Sequence, residues 1–368
     1  MRYISLLIKG SFAFFALSIY SVEYEKLDSL ISEELPGSFT AAYIHGKFDQ
    51  SLDVLNYASK LESTKPEKAS SDTYFFSYRW NKLKLGIENT NSSGKVIRPT
   101  QPNEIETNVG YQSFHATYSV YSSKKYSFNL GLIIEEEDQD PVLIDCYSFG
   151  ETIVGGSCEG AKLRLLDGEV YRNTGELIYK PVLTTSGHSD SKGIYLRITS
   201  KLLNKIDFIH TLTYKSSVIK QNFESDILNS TDSFMRGLSV DGKNAGNLLD
   251  SFKEELPQLT PWKDHTFKYS VGNFYPINKK IAFSSAYTFI KVKRIDFIKN
   301  PNKDDFTENH LIDLSLFYRL QQNTLFFLKI SASTNYLLGE SPLAYNRKSN
   351  HLFDHPYGQV YAGLLFNF

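Results

Sequence analysis

Chemistry needs donors, bases and nucleophiles held in fixed relation, and the groups able to supply them are scattered along this 368-residue chain. The histidines are His45, His115, His188, His210, His265, His310, His351 and His355. None forms an HExxH pair, the spacing that puts two rings on one helix face around a metal. His351 and His355 share that spacing inside a loop-like stretch, where helical spacing has no meaning. Gly187-His-Ser-Asp190 sets a hydroxyl between a base and an acid. Nucleophilic catalysis needs the base within hydrogen-bond reach of the hydroxyl and an orienting group behind the base. Adjacency in a glycine-led tip does not provide that, and no Gly-x-Ser-x-Gly motif occurs. Glu135-Glu-Glu-Asp-Gln-Asp140 offers oxygen ligands, but it lacks the glycine-bearing turn that wraps them around Ca²⁺, so it reads as a solvated charge run. These patterns lead us to expect no catalytic residue, no cofactor and no metal site.

The ends of the chain say where it works. Arg2 and Lys9 punctuate an apolar stretch, Tyr3 to Ile8 and Phe12 to Leu17, that closes on Ala16-Leu17-Ser18. A charged start, a short apolar middle and small residues describe a secretory signal peptide over residues 1–18, cleaved after Ser18 or Ser21. Residues 19–37 follow as a short charged periplasmic lead, and 38–368 form the folded body. An exported chain meets an oxidising compartment, so Cys146 and Cys158 are expected to form one disulfide. No later segment has the apolar length of a membrane-spanning helix. Tyr (24) and Phe (26) are abundant while Trp, Met and Cys number two each, a bias that favours strands and interfacial aromatic girdles. Lys+Arg (40) balances Asp+Glu (41), which leaves no overall positive charge to indicate a nucleic-acid partner.

At the C-terminus, Val360, Ala362, Leu364, Phe366 and Phe368 alternate with Tyr361, Gly363, Leu365 and Asn367. This resembles the final strand of bacterial outer-membrane β-barrels, which characteristically ends in an aromatic residue, usually Phe. The resemblance implies an outer-membrane location and surrounding lipid and lipopolysaccharide. It also implies recognition of Phe366 and Phe368 by the barrel-assembly machinery. Upstream, the same alternation recurs in five hairpins with short turns: Thr73–Trp80 with Leu83–Asn89, Val109–Tyr121 with Tyr126–Glu135, Gly193–Lys201 with Ile206–Lys215, Thr266–Phe274 with Ile281–Lys291, and Leu311–Leu320 with Thr324–Tyr336. Long polar segments separate them: Thr90–Glu106, Glu136–Ser157, Ser217–Lys263, Asp296–Glu308 and Leu338–Pro356. In the longest, Ala245, Leu248, Leu249, Phe252 and Leu256 have helical spacing before Pro257.

Short connections on one side and long ones on the other predict an all-β, antiparallel transmembrane barrel with short periplasmic turns and long extracellular loops. A first strand near Ser38–Lys47, the five hairpins, a weaker hairpin around Leu166-Asp-Gly-Glu169 and the terminal strand make about 14 strands. Two segments could lower the count: Pro181 demotes Gly175–Thr185, and Thr73–Asn89 could be one long tilted strand, with twelve then the natural alternative if the first strand also fails.

Alternation also assigns an interior face, because the more apolar face must meet lipid. Arg79, Lys84, Arg164, Arg197, Lys201, Lys215, Lys268, Arg319 and Lys329 fall inside, against Glu88, Asp207 and Asp313. A basic interior raises the local concentration of anions. The same charges can equally lock strands together through ion pairs. The expected function is a monomeric, non-enzymatic channel or uptake pore for small solutes, with anions favoured. The rival readings are a non-conducting surface-interaction barrel and a barrel hydrolase.

Overall fold

The computed structural model describes residues 38–49, 65–98, 101–144, 147–149, 152–154, 162–165, 170–172, 183–202, 206–224, 238–240, 243–244, 261–295, 307–334, 339–343 and 357–368. The expected signal peptide and lead, both cysteines and the helical run near Leu248 lie outside the described residues.

Twelve strands form one closed barrel. They are β1 Phe39–Asp49, β2 Lys65–Trp80, β3 Leu83–Arg98, β4 Gln101–Ser122, β5 Tyr126–Ile144 and β6 Leu183–Leu202. They continue as β7 Ile206–Glu224, β8 Trp262–Pro276, β9 Ile281–Ile295, β10 Glu308–Gln321, β11 Thr324–Ser333 and β12 Tyr357–Asn367. Each pairs antiparallel with its chain neighbours, and β12 returns to β1 with Ala42 opposite Leu365 and Ile44 opposite Gly363. Reciprocal bonds between Phe39 and Phe368, N to O at 3.0 and 2.8 Å, complete the seam. Closure satisfies every ladder along the wall, the condition for crossing hydrocarbon with strands.

Local chemistry sets the short turns. Asn81 takes φ 50°, a left-handed conformation that Asn tolerates better than most residues, and so allows the two-residue turn between β2 and β3. Ser123 Oγ accepts the Tyr126 amide at 3.0 Å before β5. The Asn278 carboxamide oxygen accepts the amides of Lys280 (2.8 Å) and Ile281 (2.9 Å) before β9. These turns and the ends of the barrel chain lie at one end, called here the turn end.

The side-chain pattern is that of a membrane barrel. Outside stand Tyr74, Phe76, Tyr78 and Trp80 on β2, Leu130, Leu132 and Ile134 on β5, and Ile312, Leu314 and Leu316 on β10, all exposed. Inside, the intervening positions Ser71, Thr73, Ser77, Glu137, Asp313 and Ser315 are buried. An apolar exterior around a polar interior is stable only where hydrocarbon replaces water outside. The belt ends where outward residues turn polar. On β5 that change falls after Ile134, at Glu136, and on β6 it falls beyond Ile194, at Lys192.

Small-residue positions let rings lie along the inner wall. A Cβ on Gly46 would strike Tyr361, one on Gly131 Tyr195, and one on Gly363 Phe327. Glycine on one strand thus receives an aromatic side chain from its neighbour.

Two expectations are corrected. The hairpin around Leu166–Glu169 forms, as Lys162–Leu165 with Val170–Arg172, but joins Leu238–Val240 and Lys243–Asn244 in a four-stranded sheet outside the barrel. The barrel therefore has the alternative's 12 strands, and both the first strand and the Thr73–Asn89 hairpin are kept. A turn signal specifies that a hairpin forms, not which sheet it enters. Thr90–Glu106 is no loop either, since β3 and β4 stay paired out to Arg98 opposite Gln101. Beyond the lipid both faces of a ribbon are polar, so alternation in hydrophobicity no longer marks it.

Candidate functional site

The enclosed interior is the candidate site, and its two ends differ. Within three residues of the short turns, or on them, stand Arg79, Lys82, Lys84, Lys124, Lys125, Lys201, Lys279, Lys280 and Arg319. The one acidic side chain among the described residues there is Asp207, opposite Lys201 in the β6–β7 ladder. Lys84 is buried on the inner wall, whereas Lys201 is exposed at the rim. Beside this collar the inner wall from β8 round to β2 carries an apolar cluster that includes Phe75, Phe274, Phe317, Leu325, Phe327 and Leu365. Phe317 stands 6.1 Å from Phe274 and 6.2 Å from Phe327, ring to ring.

Farther from the turns, charge is paired. Lys215 on β7 donates to Glu135 on β5 at 2.7 Å, and its stem crosses β6 where Gly193 leaves room. Tyr111 on β4 donates to the other Glu135 oxygen at 3.0 Å. Lys329 stands 3.2 Å from Asp313 and Arg294 3.8 Å from Asp264. These pairs are largely buried, so each partner offsets the other's desolvation.

A strap then reaches across the interior. Residues 339–343 follow β11 yet meet strands on the far side of the ring. Ser341 Oγ donates to Glu137 on β5, and the Leu343 amide does so at 3.4 Å. Gln221 on β7 donates to the Leu343 carbonyl at 3.4 Å. Leu343 packs with Ile219 and Trp262 and lies over Gly187. In a ring of twelve, β5 lies six strands from β11. Ser341 stands eight residues beyond Ser333 in the chain, a length that reaches at most roughly 26 Å. Gly339 makes the bend at φ 73°, and a Cβ there would collide with Ile290.

Lys84, Arg197, Lys215 and Lys329 are buried on the inner wall, and Arg79, Lys268 and Arg319 occupy inward positions partly covered. Arg164, expected on the wall, belongs instead to the four-stranded sheet. The acidic run is also corrected. Glu135 and Glu137 turn inward while Glu136 and Asp138 face out, because a strand sends successive residues to opposite faces. Sequence reasoning missed these two because it treats the charge run as one unit. It missed Asp264 and Arg294 because they lie beyond the expected strands Thr266–Phe274 and Ile281–Lys291, whereas the observed strands run Trp262–Pro276 and Ile281–Ile295. Carrying the β5 alternation two residues further would have found Glu137.

Among the histidines, His45, His210, His265 and His310 face outward and meet Asp72, Tyr269, Tyr214 and Tyr287 at 3.0, 3.0, 2.5 and 2.7 Å. His188 sits between Asp138 (2.6 Å) and Asp190 (3.1 Å) above the apolar belt. Glu136, His188 and Asp190 bring ligand-type atoms within 4.8 Å of one another, on an open surface. Inside, Ser113 Oγ lies 2.6 Å from His115 Nε2, a hydroxyl–imidazole contact. Glu135, the carboxylate opposite Ser113 in the ladder, directs its two oxygens to Tyr111 and Lys215. His351 and His355 lie outside the described residues.

No family model matches the sequence, and no curated relative matches it. Among solved structures the chain is similar to the translocator domain of the autotransporter NalP from Neisseria meningitidis, at 8% identity over 94% of this chain and 95% of that one, with a TM-score of 0.49. It is also similar to the NanC porin, at 9% identity over 88% and 98% of the chains with a TM-score of 0.43. A third is the Ralstonia pickettii toluene transporter TbuX, at 10% identity over 91% and 90% with a TM-score of 0.41. A closed antiparallel wall, apolar outside and charged within, with short turns at one end and long connections at the other, is the fold of the bacterial outer-membrane β-barrels.

Proposed function

We propose that the protein is an outer-membrane channel for small solutes that favours anions. The observation that carries this reading is the collar at the turn end, nine cationic side chains against Asp207 alone among the described residues. In an outer-membrane barrel that end faces the periplasm. Like charges around a narrow, low-dielectric mouth focus a positive potential, which concentrates anions and repels cations. Paired charges deeper inside contribute little net field, so selectivity is set at the mouth. Charge reversal at Arg79, Lys84 and Arg319 together is expected to move the reversal potential in a salt gradient from the anion towards the cation side. An unchanged reversal potential in a conducting triple variant would overturn the anion preference.

The strap supports a second reading, a barrel closed at rest. Its contacts on the far wall narrow the interior at one level, and a complete block would leave a barrel whose loops serve surface interactions. Planar-bilayer recordings of the full chain and of a variant lacking residues 339–343 separate the two. A conducting wild type with a larger conductance after deletion supports the channel. A silent wild type that conducts only after deletion supports closure, and silence in both rejects the channel.

A further inference from the structure

The turn between β8 and β9 borders a half-open cavity of about 500 Å³, lined also by residues of β10 and β11. Its floor is apolar and faces the interior, with Ala282, Phe317 and Leu325 all buried. Its rim carries Lys279, Lys280 and Arg319, and no carboxylate is among the lining residues. We infer that this cavity is a binding site for a small amphipathic anion, a carboxylate with one aromatic or compact apolar body. The inference deepens the channel reading above, which it rests on for the route by which such a solute arrives.

Three features argue for this occupant. Volume is the first, since about 500 Å³ falls in the range of small-molecule pockets and is far below what a folded partner needs. Shape is the second. The Phe317 ring is braced by Phe274 and Phe327, and the turn is tied to β10 by the Arg319 amide donating to the Lys280 carbonyl at 2.7 Å. The Asn278 side chain caps the same turn, so floor and roof are preformed and a flat apolar body is received with little ordering cost. Charge is the third. An arginine and two lysines at the edge of an apolar floor place the anionic group at the rim and the hydrocarbon below it. A cation of the same shape meets like charge, and an anion without the apolar body forgoes the floor. The floor lies on the inner side of the wall, so the occupant comes from the aqueous interior rather than from the surrounding lipid.

The test is titration calorimetry on the purified full chain in detergent micelles, with micelle blanks and low salt. The probes are 3-phenylpropionate, propionate and 3-phenylpropylamine. Saturable binding of 3-phenylpropionate at least tenfold tighter than either comparator is expected. Lys279→Gln with Lys280→Gln should weaken it three- to tenfold and flatten its salt dependence. Phe317→Leu should weaken it about tenfold with the salt dependence kept. Both variants are checked for folding by heat-modifiable migration in gels, and the turn variant, which touches no core residue, carries the test should Phe317→Leu misfold. Equal affinity for the three probes, or a folded turn variant that binds as wild type does, overturns the site. Conductance without probe stays a separate readout. A conducting barrel that ignores the probe overturns the site alone, and a silent barrel that binds it upholds the site and overturns the channel.

Discussion

The turn end and the deeper interior of this barrel use the same residue types to opposite purpose. At the turn end lysines and arginines cluster beside an aromatic wall with a single acidic neighbour among the described residues. Deeper in, Lys215, Lys329 and Arg294 each face a carboxylate across neighbouring strands or over a glycine. Charges crowded with one sign make a field, whereas charges paired at short range make a brace. Counting cations on the inner face cannot separate the two roles. The distance to the nearest carboxylate does.

Experiments at the two ends can sharpen this contrast. The largest effect is expected at the seam, where Phe368 bonds Phe39 through the backbone and their rings stand 6.2 Å apart. Phe368→Asp should abolish outer-membrane yield, measured by fractionation and heat-modifiability, because a charge replaces the terminal aromatic that the resemblance assigns to assembly. Normal yield would remove that role. Lys215→Met should come next. It leaves Glu135 buried without its cation and should cost about 3 kcal/mol in urea titrations from lipid vesicles. Lys215→Met with Glu135→Leu should recover most of that loss, and Lys124→Met, at an exposed position of the collar, should cost under about 1 kcal/mol. Equal losses at Lys215 and Lys124 would break the field-and-brace distinction.

Comparable in size is the disulfide proposed between Cys146 and Cys158, which lie outside the described residues. Closing a loop of this length should stabilise by about 3 kcal/mol in the chain-entropy model. Oxidised, denatured protein should show no reactive thiol, and finding two would remove the bridge. The smallest effect belongs to His188, outside the apolar belt. Its hydrogen bond to Asp138, then that to Asp190, raise its pKa, with desolvation opposing. A raised folded pKa contributes stability that is fully present below the unfolded value of about 6.5 and is lost as pH rises through the folded value. Wild type should therefore lose under about 1 kcal/mol relative to His188→Gln between about pH 5.5 and pH 8.5, given the exposure of all three side chains. A relative gain over that interval would contradict the pairing.

Much of the wall was legible in sequence, for a reason visible at β10. Ile312, Leu314 and Leu316 face lipid while Leu311, Asp313 and Ser315 face inward, so period-two alternation marks the span. The same logic located Lys84, Arg197, Lys215 and Lys329 on the inner face. It failed wherever lipid no longer imposed a contrast. The ribbon from Thr90 to Glu106 is polar on both sides and reads as a loop, and the run Glu135–Asp140 reads as a solvated unit although alternate members turn inward.

By itself the sequence determined the antiparallel barrel, its membrane-facing belt, its five short turns and the inward positions of Lys84, Arg197, Lys215 and Lys329. All of these follow from local rules, since alternation, turn residues and composition act within one strand or hairpin. Tertiary structure alone decided three other things. The hairpin at Leu166–Glu169 went to a separate sheet and made the barrel twelve-stranded. Glu135, Asp264 and Asp313 found Lys215, Arg294 and Lys329 across the wall. The segment from Gly339 to Leu343 came to rest against Glu137, about two hundred residues away in the chain. Each of these depends on which strands become neighbours when the sheet closes. No local pattern contains that information, because closure sets the distances between residues remote in sequence.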